Sequence, residues 1–342
     1  KLTGTSGGRR GKMGAMELVT KKNLMLFAGR GNEQLSKEIA EHLGVPLGEI
    51  VLSTFANGEL YCRFGESIRG ADVFIIQSHC EPINERIMEQ LLMLDAAKRA
   101  SAKRITAVCP FYGYARQDRK AEGREPISAR LLADCITVAG ADRVVTVDLH
   151  TGQAQGFFDF PVDHLTAVPR LAEHLAQRLD GAVTVVTPDA GGGKLMARFA
   201  SYLRDHDIDP EMAYIDKRRP KGTHNVARAQ EVVGLVKGRT CVLVDDMIDT
   251  AGTITSAAEL LTDRGATDVY VASSHGVLSG PAVERLANAP IREVVLTNTL
   301  PIAGEKQFDN LTVLSIAPIV AKALDAVFAD TSVSNIFRGD NV

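Results

Sequence analysis

The chain has no CxxC pair, and its five cysteines (Cys62, Cys80, Cys109, Cys135, Cys241) are scattered through apolar stretches. An odd, dispersed set gives no disulfide framework and no thiolate metal cluster. Buried reduced thiols are the plain expectation, and they fit a cytoplasmic protein. Long apolar runs are also missing. None approaches the roughly 20 residues that cross a bilayer as a helix, and the C-terminal run Ile316–Ala329 is broken by Lys322 and Asp325. There is no signal-peptide pattern: residues 1–16, KLTGTSGGRRGKMGAM, are Gly-rich and basic, and no apolar core follows them. They read as a disordered tail, with Met13 and Met16 as candidate native starts. Excess charge of one sign is absent too, with a net charge of −3. With no basic recognition helix either, a general nucleic-acid or membrane-surface binder is disfavoured. A Walker A loop is lacking. The stretch Thr187-Pro188-Asp189-Ala190-Gly191-Gly192-Gly193-Lys194 invites that reading, but the GxxxxGK[ST] spacing fails and Leu195 stands where Ser or Thr belongs.

What is present is a chain of 342 residues, 45% hydrophobic, enough for about two domains. From Leu24 onward, short β-branched runs alternate with helical spacing. Strands are expected at Leu24–Ala28, Ile50–Ser53, Val73–Ile76, Ile105–Cys109 and Val144–Val147, and helices at Asn84–Ala100 and Ile127–Ala139. The rhythm then restarts. Strands are expected at Val183–Val186, Ala213–Ile215, Cys241–Val244, Val269–Ala272 and Val294–Leu296, with helices including Leu171–Leu179, Leu195–Tyr202, Gly252–Asp263, Pro281–Leu286 and Pro318–Ala329. Such alternation implies α/β domains with mostly parallel sheets flanked by helices. The expected division is a tail (1–16), an N-terminal domain (17–165), a C-terminal domain (166–328) and a C-terminal tail (329–342).

The most informative stretch is Val242–Thr253, VLVDDMIDTAGT. An apolar strand ends in Asp245 and Asp246. A loop of small residues, Asp249-Thr250-Ala251-Gly252-Thr253, then opens a helix. Ligands of parallel sheets sit at strand carboxyl ends. Free amides at a helix N-terminus suit a phosphate, and the neighbouring carboxylates suit sugar hydroxyls or a cation. A ribose-phosphate site follows.

Other segments add chemistry. Phe55-Ala56-Asn57-Gly58-Glu59 reads on its own as a hairpin turn. The loop Phe111–Lys120, continuing to Arg124-Glu125-Pro126, carries four cationic side chains after a strand end. It suits either solvent or a polyphosphate. In Val145–His150, Asp148 and His150 stand two apart, so an extended backbone points both the same way, which suits either a metal pair or a structural strand-end His. Asp189 follows another strand end. Asp216-Lys217-Arg218-Arg219-Pro220-Lys221-Gly222 places four cations after a strand, where they would neutralise a transferring phosphoryl group unless they are merely a solvated run.

Together, FANGE, YGYARQDRK, REPIS, TVDLH, QGFFD, DKRRP and VDDMIDTAGT in this order resemble the ribose-phosphate pyrophosphokinase family, from about Leu24 to Phe337. The resemblance implies two phosphoribosyltransferase-like domains. It also implies the conversion of ATP and ribose 5-phosphate to phosphoribosyl pyrophosphate and AMP with Mg2+. By resemblance, Phe55, Asn57, Gly58 and Glu59 hold the adenine end of ATP at a subunit boundary, and Arg116, Gln117 and Asp118 contact the nucleotide. His150 and Asp189, with Asp148 as a further candidate, place the metal. Lys217 and Arg219 stabilise the transition state from a mobile loop, Arg219 also meeting the ribose 5-phosphate. Asp245 and Asp249 hold the ribose, and Asp249, Thr250, Ala251, Gly252 and Thr253 cradle its phosphate. A homohexamer and regulation by phosphate and ADP are implied as well, the segment Ser332–Phe337 resembling one that binds the activating phosphate. Ala251 stands where many family members have Gly, which matters only if its φ is positive. The segment Gly193–Arg198 lacks the family's usual alternation of small and basic residues. Two rivals are disfavoured: a transferase moving the phosphoribosyl group to a base needs only one such domain and neither FANGE nor RQDRK, and a non-catalytic regulatory homologue would not need Lys217, Arg219, His150 and Asp189.

Overall fold

The computed structural model describes residues 23–218 and 229–337. The N-terminal half is β1 (Leu24–Ala28), α1 (Glu33–Leu43), β2 (Ile50–Thr54), β3 (Leu60–Phe64), β4 (Asp72–Ile76), α2 (Ile83–Arg99), β5 (Arg104–Cys109), α3 (Ser128–Ala139), β6 (Arg143–Val147) and β7 (Val162–Leu165). The C-terminal half is α4 (Val168–Ala176), β8 (Val183–Thr187), α5 (Gly193–Arg204), β9 (Glu211–Arg218), β10 (Ala229–Val233), β11 (Thr240–Ile248), α6 (Gly252–Asp263), β12 (Asp268–Gly276), α7 (Ala282–Asn288), β13 (Glu293–Thr297), β14 (Leu311–Leu314) and α8 (Ala317–Phe328).

Strands β1-β4-β5-β6-β7 form a five-stranded parallel sheet, and β10-β9-β8-β11-β12-β13-β14 a seven-stranded one in which only the β9–β10 pair is antiparallel. The expected two α/β domains with helix-flanked, mostly parallel sheets are therefore what the chain forms. Buried strands such as β4 and β8 carry no polar face because helices cover both sides. The α6 helix has the expected bounds, and most other elements shift by a few residues. The α1 helix was not anticipated, although Asn32 caps it by accepting from the Leu35 amide and Gly44 ends it at φ +66°. The strands β3, β7, β10 and β14 were also missed.

A single apolar core joins the two sheets. It contains Leu35 and Ile39 of α1, Val145 and Val147 of β6, Leu171 of α4, Val242 and Val244 of β11, and Leu324 of α8. Separate cores cover the outer face of each sheet. The C-terminal tail is less polar in effect than its composition suggests. Val333 and Phe337 are buried in the shared core, and Asp330 pairs with Arg104 at 2.6 Å. This packing brings the carboxyl ends of β6 and β11 together.

Candidate active site

Asp245 and Asp246 lie in the carboxyl-terminal part of β11, and the Asp246 amide donates to Asp245 Oδ1 at 2.9 Å. After Ile248 the chain turns into the loop that opens α6. Ala251 has φ +60° and ψ −3°, so the condition for its methyl to matter is met. A non-glycine residue in this left-handed well costs about 1–2 kcal/mol. Among the described residues no side chain caps α6, which leaves its first-turn amides available to an anion.

Two groups from the N-terminal half reach this loop. Arg116 Nη2 lies 2.6 Å from Asp249 Oδ2, and His150 Nδ1 lies 2.9 Å from Asp246 Oδ2. The electrostatics follow from these contacts. The hydrogen bond to Asp246 raises the His150 imidazole above its ordinary value despite partial burial. Burial works to raise Asp246, but the bond to His150 and the imidazolium charge keep its carboxyl below the usual range. Burial, then repulsion from Asp246 and Asp189, push Asp245 up to about 8. Burial also works to raise Asp249, but hydrogen bonds from Ser279 and Arg116 hold it low. Near neutral pH the adjacent pair thus carries one charge on Asp246 and a proton on Asp245, a division that a hydroxyl donor or cation would redraw.

The remaining expected residues fall into three groups. Some lie beside this centre. Asp118 accepts from Thr151 Oγ1 at 2.7 Å, next to His150, and Gln117 Oε1 accepts from Ser128 Oγ at 2.6 Å, tying the loop to α3. Asp189 accepts from the Gly191 amide at 2.8 Å and is close enough to act on the charge of Asp245. Others stand apart. The Phe55–Glu59 segment is a hairpin turn between β2 and β3, closed by Phe55 N–H to Glu59 O at 2.7 Å and Gly58 N–H to Phe55 O at 2.9 Å, with Gly58 at φ +91°. Phe55 is 53% exposed. Within one chain, the backbone hydrogen bonds of residues 55–59 stay inside this turn among the described residues. Lys217 lies on β9, its backbone in register with Gln230, while Arg219 lies outside the described residues.

Asp148 departs from expectation. Its φ of +35° breaks the extended alternation, so it does not share the direction of His150. Its carboxylate is 6% exposed and accepts from the Ala167 amide at 2.8 Å and from Ser274 Oγ. It acts as a joint between the two halves, which argues against the metal role the spacing suggested.

Sequence reasoning missed several supporting residues. His275 Nε2 lies 3.1 Å from the Val147 carbonyl oxygen and 3.0 Å from that of Asp148, so this nitrogen is the donor, and it fixes the end of β6 just before His150. His164 Nε2 accepts from the Leu149 amide at 2.8 Å. Burial pushes His79 down to about 4, so it is neutral. Its Nδ1 can therefore accept from the Gly113 amide at 2.9 Å, anchoring the base of the Arg116 loop, while Nε2 meets Gln90 at 2.8 Å. No motif flags these contacts, since each partner is remote in sequence.

Comparison with known proteins bears directly on this arrangement. The family model for the N-terminal domain of ribose phosphate pyrophosphokinase matches residues 24–140, and that for the phosphoribosyl synthetase-associated domain matches residues 168–338. The chain is 54% identical over 326 residues to a ribose-phosphate pyrophosphokinase of Streptomyces avermitilis, covering 95% of this chain and 99% of that one. It is 53% identical over 321 residues to one of Mycobacterium tuberculosis, covering 94% and 97%. A crystal structure of phosphoribosylpyrophosphate synthetase from Mycobacterium smegmatis aligns with a TM-score of 0.85 at 52% identity, covering 90% of this chain and 100% of that one. The chain belongs to the ribose-phosphate pyrophosphokinase family.

Proposed function

We propose that this chain is a ribose-phosphate diphosphokinase. It transfers the pyrophosphoryl group of ATP to the 1-hydroxyl of D-ribose 5-phosphate, giving 5-phospho-α-D-ribose 1-diphosphate and AMP, and so feeds nucleotide, histidine and tryptophan biosynthesis. The observation that carries the assignment of roles is the Arg116–Asp249 contact at 2.6 Å, which joins the cation-rich loop of one half to the sugar-phosphate loop of the other.

In this assignment the amides from Asp249 to Thr253 receive the 5-phosphate at the uncapped start of α6. Asp245 and Asp249 take the ribose hydroxyls. As Asp249 turns to the sugar, Arg116 is released to the polyphosphate, whose oxygens its planar guanidinium fits. Gln117 and Asp118 complete the nucleotide side. The 1-hydroxyl oxygen attacks the β-phosphorus and releases its proton to water, the bond between the β-phosphorus and the bridging α-phosphoryl oxygen breaks, and AMP leaves with that oxygen. Alignment and charge neutralisation do most of the work in such a transfer, and Lys217 and Arg219 supply positive charge as it develops.

Mg2+ fits the donor set. Among the described residues no cluster of three or more His, Cys, Asp or Glu side chains is arranged to enclose a metal ion. Mg2+ is commonly held by one or two carboxylates together with substrate phosphates and water. His150 and Asp189 would hold it or its waters, where it would screen the polyphosphate charge. The exposed hairpin at Phe55 is assigned to the adenine of ATP bound by a neighbouring subunit in a homohexamer, and Ser332–Phe337 to a regulatory phosphate site at which ADP would compete. No helix among the described residues is long and apolar enough to cross a membrane, and we place the enzyme in the cytoplasm. AMP formation from ATP that requires both ribose 5-phosphate and Mg2+ tests the assignment. ATP consumption independent of ribose 5-phosphate would refute it.

A further inference from the structure

The Ala251 backbone needs an external brace. A left-handed alanine persists where its surroundings over-determine it, and the groups that fix this one can be named. Within the chain's own turn, the Thr255 amide donates to the Ala251 carbonyl at 2.9 Å. From outside, Arg285 of α7 donates from Nη1 to the Thr250 carbonyl at 2.9 Å. That carbonyl belongs to the peptide that precedes Ala251, so its direction is coupled to the Ala251 φ. The same nitrogen lies 3.3 Å from where a Cβ on Gly252 would stand, so the guanidinium occupies the space that a side chain at the first residue of α6 would fill. The segment leading to α7 follows the loop closely: the Val277 and Leu278 amides donate to the Ile248 carbonyl at 3.0 Å, and the Ser279 amide to the Asp249 carbonyl at 2.9 Å. Arg285 is the exposed end of this backing wall and presents a permanent positive charge behind the phosphate cradle.

Taking ribose 5-phosphate as the ligand of this loop, as proposed above, we infer that Arg285 is a positioning residue for its 5-phosphate. By drawing the Thr250 carbonyl outward, it holds Ala251 left-handed and keeps the following amides facing the anion. Glycine at position 251 would adopt the same conformation at little cost, so dependence on Arg285 is tied to the alanine methyl.

The test is a double-mutant cycle on the full-length enzyme, with ribose 5-phosphate binding measured by calorimetry without ATP alongside steady-state kinetics. Arg285→Gln should weaken binding and raise the KM for ribose 5-phosphate by about tenfold, the effect of losing one charged hydrogen bond, with the KM for ATP and the melting temperature little changed. Arg285→Lys should recover part of the loss through its charge. Combining Ala251→Gly with Arg285→Gln should restore most of the binding. Unchanged ribose 5-phosphate binding in Arg285→Gln, equal losses in both substrates' KM values, or strictly additive effects in the double variant would each overturn the inference. Because each is measured against the wild type, none is confused with absence of the parent activity.

Discussion

Arg116 and Asp249 lie 133 positions apart in the chain and meet at 2.6 Å between Nη2 and Oδ2. One sits on a loop after β5, the other on the loop between β11 and α6. A second bridge, His150 to Asp246 at 2.9 Å, crosses the same junction. Each sheet thus delivers groups from its carboxyl end to one crevice, and the shared apolar core holds the two ends in register.

The His150–Asp246 pair makes a titration prediction. Imidazole proton shifts followed by NMR in metal-free protein should place His150 above the ordinary value of 6.5 in the wild type, and Asp246→Asn should bring it down. The pair's contribution to stability is fully present below the ordinary imidazole value and fades as pH rises through the raised one. An unshifted His150 in the wild type would contradict the pairing.

Asp245 predicts the opposite trend for a carboxyl. Raised to about 8 in the folded chain, it keeps a proton that the unfolded chain releases from about pH 4 upward. Metal-free stability should therefore fall as pH rises from 4 towards 8. Asp245→Asn should remove that part of the slope, gaining on the wild type with increasing pH. Parallel pH profiles of melting for the two proteins would contradict it.

Asp148 tests the revision of its role. Asp148→Ala would strand the Ala167 amide and the Ser274 hydroxyl, at a cost of about 2–4 kcal/mol, and denaturant unfolding measures this directly. The metal dependence of the surviving activity should be unaltered. A large rise in the Mg2+ requirement with intact stability would return Asp148 to the metal site.

Lys217 makes the sharpest kinetic prediction. Lys217→Ala should lower turnover by about 10²–10³-fold, the scale of losing one preorganised group that stabilises the transition state, while calorimetry shows ribose 5-phosphate still bound. Near wild-type turnover would remove Lys217 from the transition state.

Legibility in the sequence followed physical range. Periodicity revealed most helices and buried strands, because their burial writes apolar residues at regular spacing. It missed β3, whose residues alternate between exposed and half-buried, and β10 and β14 at the margins of the second sheet. The phosphate cradle was readable from Asp249–Thr253 because its chemistry is local. The direction of the Asp148 side chain was not legible, because a single positive φ breaks the alternation that a spacing of two implies. Arg285, His275 and His79 were invisible because their partners are set by the packing of remote segments. The Phe55 hairpin had a readable turn, but its proposed nucleotide contact requires another subunit and no single chain displays it.

In the proposed reaction the pyrophosphoryl group moves intact to the sugar. ATP carrying radioactive phosphorus in both its β- and γ-phosphoryl groups, supplied with ribose 5-phosphate and Mg2+, should yield both labels on the 1-diphosphate of the sugar product and unlabelled AMP, as read by radioactivity after chromatographic separation. Label recovered as ADP or as free pyrophosphate from the outset, with no sugar diphosphate formed, would contradict the account.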